Sequence, residues 1–184
     1  MQSQVLNPVT AGVSHISSDF SSAAEATMSF LAHNRENLVH SQLSLWTTRD
    51  HINEPLPVQL GSGCGSLRRL NSPYKDEDFS VPVDGTEFLN PIVQFMKDRG
   101  VKLCRPMLRV MAPKTCLSYH RDGNAYRIHL VCQTNASAMF IVDGEINTMP
   151  LVGSLYSLRT DLLHTAMNAN YEKERIHLTF TISN

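Results

Sequence analysis

Three residues have the types and spacing to hold a reactive metal. In His120-Arg121-Asp122, the outer two are two apart, so in an extended chain they project to the same side. An imidazole and a carboxylate then reach one point. A second imidazole, His164, follows at the end of Asp161-Leu162-Leu163-His164. Two histidines and one carboxylate on one face of a metal leave positions open for other ligands. That is the donor set of mononuclear non-haem iron(II) centres, which need the open positions for cosubstrate and O₂. An isolated His-x-Asp is weak evidence, because histidine is commonly a hydrogen-bonded structural residue. Weight comes from the set of His120, Asp122 and His164, with Arg175 opening a further strand-like segment.

A second pattern surrounds these residues. The tetrapeptide Arg-Ile-His-Leu occurs at 127–130 and again at 175–178. In a strand each copy places Arg and His on one face, and Ile and Leu on the other. Two such strands suit a barrel with a polar interior and an apolar outer face. His177 is then a further candidate to face the pocket. Each residue also has a plain structural reading. Arg127 could be a surface strand residue, His129 a core histidine bonded to backbone, and Arg175 an ion-pair partner of Glu172 or Glu174. Asn168 reads as a loop or ligand organiser, and Tyr119 and Tyr126 flank the His-x-Asp turn. His33, His40 and His51 fall outside the pattern. Gly61-Ser-Gly-Cys-Gly65 lacks the Lys-Ser/Thr and the preceding strand of a phosphate loop. The cysteines Cys64, Cys104, Cys116 and Cys132 form no CxxC pair, which argues against a zinc ribbon and for reduced thiols.

The elements that must position these residues are legible in outline. Ser21 to Asn34 reads as a helix with an apolar face on Ala23, Ala24, Met28 and Leu31, capped by Ser21 or Ser22. Gln42 to Thr47 reads as one strand. Residues 49–82 are rich in Gly, Pro, Ser and Asn and read as a long irregular stretch, a candidate lid. A helix runs from Asp84 to about Arg99, with a break or kink near Asn90 where Pro91 falls. Beyond Gly100 the pattern changes to strands at 102–111, 116–120, 126–132, 138–142, 145–148, 154–158 and 175–183. Asp143-Gly144 between two apolar runs marks a hairpin. About eight short strands at this spacing predict a mainly β fold with a few helices, a double-stranded β-helix or jelly roll. An N-terminal helical and irregular extension precedes it.

Composition sets the limits. The chain has 184 residues, 42% hydrophobic and 18% charged, which fits one domain with a sizeable core. Its formal net charge is −1, and only Arg68-Arg69 are adjacent basic residues. That argues against nucleic acid as a partner. No apolar run approaches a membrane span and no secretory leader is evident, so a cytoplasmic location without membrane association is expected.

The run His120-x-Asp122, His164, Arg175 resembles the 2-oxoglutarate/iron(II)-dependent dioxygenases. Arg127-x-His129 and His164-Thr-Ala-Met-Asn168 make it most similar to their aspartyl/asparaginyl β-hydroxylase-like group, over roughly residues 103–183. The resemblance implies iron(II) held by His120, Asp122 and His164. It implies Arg175 on the distal carboxylate of 2-oxoglutarate, a role that suits a planar guanidinium. Arg127 and His129 match the Arg-x-His pair that helps hold the cosubstrate. Asp122 is a departure, since the aspartyl β-hydroxylase itself lacks that carboxylate. The implied reaction consumes O₂ and 2-oxoglutarate, releases succinate and CO₂, and hydroxylates a C–H of a peptide or small-molecule substrate such as an amino acid. Asp122 argues against halogenation, which needs that ligand position for halide. The rival reading is a metal-binding, cupin-like jelly-roll module without oxygenase activity. On either reading, 1–184 form one domain, with 1–100 as a supporting region and 101–184 as the jelly-roll core; oligomeric state is unspecified.

Overall fold

The computed structural model describes residues 12–65 and 73–183; Arg68-Arg69 lie outside them. Twelve strands and three α-helices are formed among these residues. The strands are β1 (Val13–Ser17), β2 (Gln42–Ser44), β3 (Trp46–Thr47), β4 (Val81–Pro82), β5 (Leu103–Met111), β6 (Thr115–Cys116), β7 (Tyr126–Gln133), β8 (Ala138–Val142), β9 (Glu145–Asn147), β10 (Leu155–Arg159), β11 (His164–Asn168) and β12 (Arg175–Ile182). The helices are α1 (Ser21–His33), α2 (Leu56–Ser62) and α3 (Asn90–Lys97). A six-stranded antiparallel sheet in the order β1-β10-β7-β12-β5-β2 faces a four-stranded sheet in the order β6-β11-β8-β9. This is the expected jelly roll. β3 and β4 form a separate small pair.

Strand alternation divides the core in two. On β12, Ile176, Leu178 and Phe180 point outward, joined by Ile128, Leu130 and Cys132 of β7 and by Leu108 and Val110 of β5. Helices α1 and α3 cover this outer face with Ala23, Ala24, Leu31, Ile92 and Met96. Each fully buried Leu, Ile or Phe contributes about 1.5–3 kcal/mol. The opposite parity faces the small sheet. There Met111, Val131, Phe140, Tyr156, Leu158 and Ala166 form a second apolar cluster at one end of the barrel. The polar members of that parity, Arg127, His129, Arg175 and His177, line the remainder.

Several boundaries differ from expectation for local reasons. Helix α1 begins after Phe20, and neither Ser21 nor Ser22 caps it; the Phe20 N–H instead donates to the Gly153 carbonyl at 3.0 Å. Pro91 does not kink a long helix. It occupies the first turn of α3, where its missing N–H costs nothing, behind a 3₁₀ turn at Glu87–Leu89. At the other end, Val101 N–H reaches Met96 O and Gly100 N–H reaches Lys97 O, with Gly100 at φ 75°, a Schellman closure. The expected strand at 42–47 is two strands in different sheets. The stretch 49–82 contains α2 and short 3₁₀ turns rather than being irregular throughout. Asp143 and Gly144, at φ 50° and 86°, make the expected two-residue hairpin between β8 and β9. β1 and β2, both before residue 100, are the edge strands of the large sheet, so the supporting region is hydrogen-bonded into the core.

Candidate active site

The two candidate histidines meet because their backbones pair. His120 and His164 exchange N–H···O bonds of 3.0 and 2.9 Å in an isolated bridge beyond the end of β6, leaving the ring centroids 4.3 Å apart. Each ring is fixed by its own chain. Nδ1 of His120 lies 2.8 Å from the Ser118 carbonyl, and Nδ1 of His164 lies 2.9 Å from the Leu162 carbonyl. A carbonyl only accepts, so in both rings Nδ1 carries the proton and Nε2 holds a bare lone pair. Burial, opposed by the Leu162 carbonyl, pushes the His164 pKa down, which favours the neutral ligand form.

Asp122 completes the cluster. Its N–H donates to Thr160 O at 2.8 Å, and Oδ1 lies 3.7 Å from His120 Nε2. Donor atoms of His120, Asp122 and His164 lie within 4.8 Å of one another. The other carboxylate oxygen, Oδ2, is 2.7 Å from Arg127 Nη2, an ion pair rather than an aligned hydrogen bond. Asp122 therefore turns one oxygen toward the histidines and the other toward a cation. Arg127 is no surface residue: it stands against the acid, with its Nε buried and without a hydrogen bond among the described residues.

Deeper in the barrel the cations outnumber the acids. Arg175 is 7% exposed and stacks its guanidinium 4.6 Å above the Phe140 ring. It pairs with neither Glu172 nor Glu174; Arg35 takes Glu174. Nε and Nη1 of Arg175 are buried without a hydrogen bond among the described residues, and burial lowers its pKa to about 10. His129 packs edge-on to Phe140 at 5.3 Å and lies beside His177, both buried. Arg109 was not singled out in the sequence. It shares the inner parity of β5 with Met107 and Met111, and its Nε donates to Thr179 Oγ1 at 3.1 Å. Burial, followed by Arg127 and Arg105, lowers its pKa to about 9. The alternation of β5 around Leu108 and Val110 was the signal that could have found it.

The remaining candidates sort plainly. Asn168 is fully buried, and its amide donates to the carbonyls of Met111, Ala112 and Lys173, tying together the β5–β6 and β11–β12 turns. Tyr119, next to His120, is 55% exposed, and Tyr126 is half-buried. The described part of 49–82 is fastened down: buried Arg105 binds the carbonyls of Gly63 and Gly65 and the Asp76 carboxylate, and Asn124 donates to that same carboxylate. All four cysteines are free. Burial raises the thiols of Cys64 and Cys104 to about 11 and Cys132 to about 12, whereas Cys116 is exposed. A shallow cleft lined by Lys114, Cys116, Met167 and Tyr171 sits at the opposite end of β11 and shares none of the cluster. Among the described residues, no helix is long and apolar enough to cross a membrane.

The donor set suits a divalent metal: two imidazoles and a carboxylate converge, with one carboxylate oxygen held from behind. The orphaned polar atoms suit an anion beside it, because a buried guanidinium without a partner is costly until one binds. Such a metal-and-anion site on a jelly roll defines an oxidoreductase of the 2-oxoglutarate/iron(II) oxygenase class. Residues 85–184 match the model of the aspartyl/asparaginyl β-hydroxylase family, and the chain belongs to that family. Oxygenases of this class take iron(II), 2-oxoglutarate and O₂, and the His-Asp-His cluster fits an iron. No curated protein sequence matches significantly. Among solved structures, a Pseudomonas putida prolyl-4-hydroxylase is 12% identical, with a TM-score of 0.57 over 95% of this chain and 94% of that one. A Trichoplax adhaerens prolyl hydroxylase, solved with a hypoxia-inducible-factor peptide fragment, is 10% identical, with a TM-score of 0.56 over 98% and 88%. Both likenesses concern the fold. The chain spans 58% of plu4264 protein from Photorhabdus luminescens, at 23% identity over 41% of this chain and a TM-score of 0.34.

Proposed function

We propose that the chain hydroxylates a C–H of an amino-acid or peptidyl substrate, with His120, Asp122 and His164 as the iron ligands. The observation that carries this is the geometry of the two imidazoles. Both spend Nδ1–H on their own backbone and leave Nε2 bare beside the Asp122 carboxylate. Bound iron(II) and 2-oxoglutarate supply the oxidising chemistry, with succinate and CO₂ as by-products. The chain's own residues do the holding. Arg175 receives the distal carboxylate on its unpartnered Nε and Nη1. Arg127 steadies Asp122 with Nη2 and, with His129, walls the cosubstrate. Phe140 excludes water between them. Exposed Leu117, Tyr119 and Leu163 lie close in sequence to the proposed ligands and would form a rim there. That open rim suits a side chain presented from a peptide, and the peptide-bound Trichoplax relative supports the same reading.

Anaerobic titration with iron(II) and then 2-oxoglutarate tests the proposal. A visible charge-transfer band that appears only with both is expected, and it should be lost in Asp122→Ala. Metal binding without that band would favour a jelly-roll module lacking oxygenase chemistry.

A further inference from the structure

The duplicated Arg-Ile-His-Leu brings two histidines together on neighbouring strands. β7 and β12 are hydrogen-bonded partners, with His129 opposite Thr179 and His177 opposite Val131. From these diagonal positions, Nδ1 of one ring lies 3.2 Å from Nδ1 of the other, with the rings near perpendicular at 86°. The side chains are 4% and 2% exposed, and both Nε2 atoms are buried without a partner among the described residues. Both rings are neutral: burial, the largest cause at each, holds each pKa well below 6.5.

A neutral imidazole carries one N–H. A hydrogen bond between two Nδ1 atoms needs one N–H and one lone pair, so the two rings are opposite tautomers. One Nε2 is protonated and the other is bare. The proposed function chooses between the two arrangements. A carboxylate only accepts, so His129 can serve the cosubstrate only as its Nε2–H tautomer. Its Nδ1 is then bare and needs a donor, and His177 is the group within reach. The bare Nε2 of His177 is left near Arg175, the charged group acting on it.

From this juxtaposition we propose that His177 is a positioning residue. Its Nδ1–H locks His129 in the Nε2–H tautomer that donates to the cosubstrate carboxylate. The proposal rests on the reading of this pocket as the 2-oxoglutarate site.

Imidazole ¹⁵N NMR of the metal-free full-length chain tests the lock without any ligand. His129 should show a protonated Nε2 and a bare Nδ1. In His177→Leu, which keeps an apolar packing volume, His129 should populate both tautomers. In His177→Asn, whose amide nitrogen overlays Nδ1, the single tautomer should return. The functional arm is calorimetric binding of 2-oxoglutarate with Mn(II) under nitrogen. His177→Leu should bind roughly tenfold more weakly, and His177→Asn close to wild type. A wild-type His129 protonated on Nδ1 would overturn the proposal, as would equal affinities in the Leu variant and the wild type. If wild type binds no 2-oxoglutarate while the tautomer is as stated, the pocket reading fails and the lock stands.

Discussion

Arg175 carries a charge that no acidic group among the described residues neutralises. Burial lowers its pKa to about 10, so at neutral pH the folded state bears a penalty on the order of 3 kcal/mol, absent from the unfolded chain. Bound 2-oxoglutarate removes that penalty. Arg175→Met therefore has two opposite effects: the ligand-free protein gains thermal stability, and the stabilisation that 2-oxoglutarate confers on wild type disappears. Thermal melts with and without 2-oxoglutarate and Mn(II) check both, and a destabilised ligand-free variant would contradict the reading. At this scale much was legible. His120, Asp122 and His164 are read from spacing, and the structure brings them together. The ion pair of Arg127 with Asp122 was not, because it depends on how residues 123–125 turn the chain back, and no pattern in Gly-Asn-Ala specifies that. His177 was read only as a candidate to face the pocket, because alternation gives the face and not the neighbour.

Strands with an alternating or a continuous apolar pattern were recognisable, and those without either were not. β8, Ala138–Val142, has the boundaries its apolar pattern predicts. β11 was missed: His-Thr-Ala-Met-Asn mixes polar and apolar residues without a period of two, and Thr165 is buried by its own hydrogen bond to Leu117 O. Helix α2 was hidden by Pro55, Pro57 and Gly61, which read as loop residues although proline is tolerated in a first helical turn. β1 was hidden among Ser and Val without clear period. The start of α1 docks against Gly153. At φ 78° this glycine accepts from Phe20 N–H, and a Cβ there would lie 2.8 Å from Ser21 Cα and 2.5 Å from Ser21 Oγ. Gly153→Ala combines a left-handed backbone penalty of about 1–2 kcal/mol with a clash against backbone. A Tm lowered by several degrees is expected; an unchanged Tm would show that α1 does not sit against this turn.

For the whole molecule, the neutral buried histidines set a pH limit. His129 and His177 have folded pKa values far below the unfolded value of 6.5, and His164 is also lowered. Below 6.5 the unfolded chain binds more protons than the folded one, so stability falls as pH falls through that value and is fully present above it. Denaturant midpoints measured from about pH 7.5 to 5 should decline, and His177→Leu should flatten the decline. Equal slopes would mean that these rings do not govern acid stability.

The central claim joins all three scales: a jelly roll holds His120, Asp122 and His164 around an iron that turns over 2-oxoglutarate. Its most direct test is succinate release from 2-oxoglutarate with iron(II), O₂ and no added substrate, in wild type and in His164→Ala. The account predicts slow but measurable succinate from wild type, loss to background in His164→Ala, and retained folding of the variant by circular dichroism. Undiminished succinate from a folded His164→Ala would contradict it.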